Sequence, residues 1–161
     1  MTRQEAYTAV HNLADKYTIH GDSRTPTFPK RALLLHIAAA QLGAGLPEAL
    51  TPRSKYTNNN WLDYHHSAIK KLGRDVQNGW TVSYPHPPDK TMKNEGDIFK
   101  NFSRIADQHS LENSPKDPDH HYIGQVLHNV ASKMGGLDPK IVKSGLVDHH
   151  NKMSLVHKYR V

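Results

Sequence analysis

Cysteine is absent from this chain of 161 residues, which excludes disulfides and thiolate catalysis and fits a cytoplasmic location. No apolar run approaches the ~20 residues that a bilayer-spanning helix needs. The opening Met1-Thr2-Arg3-Gln4-Glu5 leads into an amphipathic pattern and not into the apolar stretch of a signal peptide. A soluble, unprocessed protein with no membrane association is therefore expected. Familiar catalytic signatures are missing as well. There is no Walker-type phosphate loop, no glycine-rich dinucleotide turn, no nucleophile elbow and no His-Glu-x-x-His string.

What is present is positive charge and histidine. Lysine and arginine number 21 against 15 aspartates and glutamates, a formal net charge of +6, so the surface should attract polyanions. Histidine occurs 13 times. With an ordinary pKa near 6.5 these side chains are mostly neutral at pH 7 and add charge as the solution becomes acidic.

Apolar spacing and punctuation predict helices along the whole chain. Thr2 and Glu5 have the spacing of a capping box ahead of Ala6, Val10, Leu13, Ala14 and Tyr17, which share one helical face. Pro26 and Pro29 place a loop before the stretch from Arg31 to Leu42, which is apolar nearly all round and reads as the central core helix. A third helix is expected from Asn60 to Val76, with Leu62, His65, Ile69, Leu72 and Val76 on its stripe. Trp80 to Tyr84 alternates and reads as a strand. Asn94 and Asp97 can cap a fourth helix with Ile98, Phe99, Phe102, Ile105 and Ala106 inward. Asp119 should cap a fifth, with Ile123, Val126, Leu127, Val130 and Met134 inward and Gly135-Gly136 closing it. Asp138-Pro139 should start a sixth. The expected fold is mainly α: a single-domain bundle of about six helices over residues 1–161, with at most one short β-hairpin around residues 80–84.

Two functional readings follow from these residues. The first is a small basic helical protein that binds nucleic acid, or a protein complex that handles it, such as a regulator or inhibitor encoded by a phage or mobile element. Its contacts would come from Arg53, Lys55 and Tyr56 in a polar turn, where an aromatic ring between cations can stack on a base, and from Lys70, Lys71 and Arg74 beside the third stripe. The second is a metal-dependent phosphohydrolase or nuclease. Here His36, His65 and His149, all expected to point inward, would combine with Asp63 or Asp148 to hold one divalent metal ion, Zn, Mn or Fe.

One histidine pattern is repeated. Asp119-His120-His121 with His128 has the same internal spacing as Asp148-His149-His150 with His157. Histidines seven apart on one helix are separated by about 10.5 Å of rise, so neither copy can chelate an ion with its own His pair. Helical rotation puts His121 and His128 opposite the apolar stripe, toward solvent or a partner. It puts His149 within a face made by Val142, Met153 and Val156, with His150 and His157 at its edge. Elsewhere, the string from Leu33 to Ala40 resembles the helix of HD-type phosphohydrolases, in which a metal-binding Asp follows a His directly. Ile37 occupies that Asp position after His36, and the resemblance supplies no ligand.

Overall fold

The computed structural model describes residues 1–19, 28–47, 65–66, 68–70, 94–112 and 119–159, and all regular structure within them is helical. Helix α1 spans Arg3–Ile19. Its capping box is closed in both directions. The Glu5 N–H donates to Thr2 Oγ1 and the Thr2 N–H donates to Glu5 Oε1, each at 3.1 Å. These bonds favour the ionised carboxylate and hold Glu5 below its ordinary pKa.

Helix α2, Phe28–Gly43, is buried at every position from Arg31 to Gly43, as its unbroken apolar composition requires. It lies against α1 on one side and against α3, Glu95–Glu112, on the other. The α3 N-terminus is capped by Asn94, whose Oδ1 accepts from the Asp97 N–H at 3.0 Å. Its Ile98, Phe99, Phe102, Ile105 and Ala106 are all buried, so truncating one of the large ones would cost about 2–5 kcal/mol. Residues 65, 66 and 68–70 are helical and bring His65 and Ile69 into the same core.

Helix α4, His120–Gly135, packs on α3 and also reaches α1. Asp119 stands at its N-cap position, but the carboxylate makes no cap hydrogen bond. It takes the Tyr17 hydroxyl instead, and burial, followed by the charge of Asp119, pushes that phenol up to about 12. The buried guanidinium of Arg31 sits 5.4 Å from the Tyr17 ring centroid.

The expected sixth helix is two helices. Asp138 caps α5, Pro139–Lys143, by accepting from the Lys140 N–H at 2.9 Å. Gly145 then adopts φ 85°, which a residue with a Cβ rarely tolerates, and α6 runs from Leu146 to Tyr159. The break changes the rotation of everything after it, so the face extrapolated from Val142 does not continue into α6.

The mainly α bundle expected from sequence is what the chain forms, with one hydrophobic core shared by α1, α2, α3 and α4. The strand expected at Trp80–Tyr84 lies outside the described residues. Among the described residues, no helix is long and apolar enough to cross a membrane.

Candidate metal centre

Helix α6 is held in an unusual way. Of its 14 residues only His150 and His157 are buried, while Leu155, Val156 and Tyr159 are exposed. An ordinary surface helix buries its apolar stripe. Here the inward face is imidazole, and it lies on a second imidazole face supplied by α4.

The repeated motif pairs across these two helices. His121 Nδ1 lies 3.1 Å from His157 Nδ1, and His128 Nδ1 lies 2.8 Å from His150 Nδ1. Seven residues forward on α4 correspond to seven residues back on α6, so the helices are antiparallel and the two copies are related crosswise. The other members repeat the relation. The His120 ring lies 5.4 Å from that of His157, and the His149 ring 6.3 Å from that of His128. Ser132 donates its hydroxyl to Asn151 Oδ1 along the same seam.

Two local features make the close approach feasible. Gly124 faces the His157 ring so tightly that a Cβ there would meet ring atoms at 2.5–2.7 Å. Gly135 sits where a Cβ would meet Ile141, Phe99 and Val147 at 3.0–3.1 Å. The α4 surface under α6 is therefore glycine, histidine and Ser132. This face was expected to point toward solvent or a partner, and what it meets is another helix of the same chain: His128 is fully buried and His121 half-buried. Covering by α6 is the reason: α4 buries two faces, one apolar against the bundle and one imidazole.

Helix α3 completes the arrangement from a third side. Ser103 Oγ is 2.7 Å from His150 Nε2, Asp107 Oδ1 is 2.7 Å from His149 Nε2, and the His109 Nε2–H donates to the His120 carbonyl at 2.9 Å. Two sets of three donors result. The ligand atoms of His120, His121 and His157 all lie within 4.8 Å of one another, and so do those of Asp107, His149 and His150. The first set is mostly buried. The second opens to solvent through Asp107 and His149, whose side chains are 42% and 43% exposed.

Burial lowers the pKa of two imidazoles of this seam, His150 of the open set and His128, which belongs to neither set. It pushes His128 down to about 3, helped by the nearby imidazoles of His150 and His157. Burial also lowers His150, against the opposing pull of Asp107. Both stay neutral at pH 7, which is the form that offers a lone pair to a cation. His128 Nε2 is buried and has no hydrogen-bond partner among the described residues. An orphaned buried nitrogen is costly and calls for a partner.

No family model, curated protein or solved structure matches this chain. The site must be read from its own chemistry.

The residues singled out from sequence fall in three places. His36 and His65 do meet, with Nδ1 atoms 2.9 Å apart, but their companion is His11, whose Nδ1 is 2.8 Å from His65 Nε2. His149 instead joins Asp107 and His150 in the other cluster. The structure thus distributes the proposed ligands over two clusters. Asp148 and Lys70 are exposed. Arg53, Lys55, Tyr56, Asp63, Lys71 and Arg74 lie outside the described residues. The face expected to carry His149 inward turns out to carry His150 and His157, because the break at Gly145 resets the helix. Sequence reasoning missed Asp107, His120, His121, His150 and His157 as ligands. The available signal was the matched spacing itself, had the two copies been laid antiparallel and not considered one helix at a time.

Proposed function

We propose that this protein is a metal-dependent phosphoesterase acting on nucleic acid or nucleotides, with its reactive ion held by Asp107, His149 and His150. The observation that carries this reading is the open triad. Two imidazoles and one carboxylate from two helices converge within 4.8 Å at a solvent-accessible edge. Three protein ligands leave a position for water or substrate, as in catalytic zinc and related sites. A bound ion would lower the pKa of its water toward 7 and polarise a phosphoryl oxygen.

The chain's own residues supply the remainder. Ser103 Oγ at His150 Nε2 and His128 Nδ1 at His150 Nδ1 fix the orientation of the His150 ring from its two nitrogens. Arg104 stands three residues before Asp107 on α3, and Lys152 three after His149 on α6. That spacing puts each exposed cation on the face of its neighbour, where it can meet phosphate oxygens. The net charge of +6 favours encounter with polyanions, so the nucleic-acid binding expected from composition becomes substrate recruitment.

The test is turnover of bis(p-nitrophenyl) phosphate and of single-stranded and duplex nucleic acid by protein loaded with Zn, Mn or Fe. Asp107→Asn and His149→Ala should each lower kcat/KM by more than the about 10–100-fold that loss of an outer partner costs. Metal-loaded protein that turns over none of these substrates refutes the reading.

A further inference from the structure

The buried triad is not needed by the open one. Its three imidazoles sit at the other end of the α4–α6 seam, about 10 Å away by helix rise between the His121/His157 and His128/His150 levels. We infer that His120, His121 and His157 bind a second metal ion, structural in role, so that the two Asp-His-His copies encode two ion sites of different chemistry. This deepens the proposed function and rests on the same seam, but the donors are separate.

The geometry fits zinc. Neighbouring ligands around a tetrahedral ion with Zn–N bonds of about 2.0–2.1 Å stand about 3.3 Å apart. His121 Nδ1 and His157 Nδ1 stand 3.1 Å apart, and the third donor lies within 4.8 Å of both. An all-nitrogen set suits Zn or a late transition ion and disfavours Mg or Ca, which take oxygen. His157 and His120 are buried at 3% exposure each, so this ion would be shielded where the other is open.

The packing supplies a reason for such an ion. An ion held by His120 and His121 of α4 and His157 of α6 cross-links two helices whose mutual face offers little apolar surface. Gly124 is the matching device, because its missing side chain is what lets the His157 ring reach the α4 backbone. The His109 ring lies against this triad: its Nε2–H donates to the His120 backbone carbonyl, and the His109 and His120 rings stack at 4.8 Å.

The experiment is equilibrium dialysis of chelator-stripped full-length protein against zinc alone. Elemental mass spectrometry then gives stoichiometry, and a chromophoric chelator follows release. Two bound ions that leave in a fast and a slow phase are expected. His121→Ala and, separately, His157→Gln should lose the slow ion and keep the fast one, whereas Asp107→Asn should lose the fast one. A single ion that survives His121→Ala but not Asp107→Asn overturns this inference and leaves the open centre standing. A single ion with the opposite dependence supports the buried site and overturns the open one, and a protein that binds no zinc overturns both. The wild-type stoichiometry decides between one site and two even if a variant folds poorly.

Discussion

Among the described residues, buried histidines gather in two clusters, and the two are arranged differently. In the first, His11 of α1, His36 of α2 and His65 form a file. One choice of tautomers links it: His36 Nδ1–H donates to His65 Nδ1 at 2.9 Å, and His65 Nε2–H donates to His11 Nδ1 at 2.8 Å. His11 Nε2 lies 3.3 Å from Asp15 Oδ2, an ion-pair distance, and the Tyr7 hydroxyl lies 3.0 Å from His11 Nδ1. Each ring serves the next and a carboxylate ends the line. The second cluster, between α3, α4 and α6, gathers its donors around two points and leaves His128 Nε2 unsatisfied among the described residues. The two differ in arrangement: the first passes hydrogen bonds from ring to ring, whereas the second brings three donor atoms together at each of two points, as a cation requires. Histidine content alone does not distinguish them.

The contrast is sharpened most by removing metal. A ligand present at about 1,000 times its Kd stabilises the fold by about 4 kcal/mol. Chelation should remove stabilisation of that size, and hydrogen exchange should show residues 146–159 losing protection while 3–19 and 28–43 keep theirs. Equal loss in both regions would abolish the distinction between the clusters.

Next in size is acid sensitivity of the metal-free protein. Burial pushes His36 down to about 4, and it likewise lowers His65. An unfolded histidine titrates near 6.5, so between those values the unfolded chain binds a proton that the folded one refuses. Stability is therefore full above about pH 6.5 and lost as the pH falls to about 4, by about 3 kcal/mol for His36 alone. Urea unfolding at several pH values should show this slope, to which the lowered His128 also contributes, so His36→Gln should reduce it by the His36 share without abolishing it. An unchanged slope would mean that the file is not what acid attacks.

Gly124→Ala is the steric probe of the second cluster. Forcing a methyl into the His157 ring should cost about 1–3 kcal/mol in thermal or urea unfolding and weaken zinc retention. The same change at Gly96, where a Cβ would meet only Asn94 Oδ1 at 3.4 Å, should do neither. The smallest effect is expected at the N-terminus of α1. Thr2→Ala opens the capping box of α1 and should cost about 1 kcal/mol while leaving metal content unchanged. A shift in zinc stoichiometry there would couple regions that the structure keeps apart.

Local signals in the chain determined much of the architecture. The Thr2/Glu5 box, the Asn94 cap, the Asp138-Pro139 start and the apolar faces of α1, α3 and α4 are properties of neighbouring residues, so spacing reveals them. The burial of α2 follows from an apolar surface with nowhere else to go. Rotation of α6 was not legible, because it depends on Gly145 entering the left-handed region and resetting the helix. Nor did the repeat disclose its use. His121 and His128 looked outward only because the helix that covers them comes later in the chain, and a single helix wheel cannot contain a partner. The pairing of residue 121 with 157 and of 128 with 150 depends on two helices lying antiparallel at a register that Gly124 permits. That is a fact of tertiary packing, and it decided which of the 13 histidines converge.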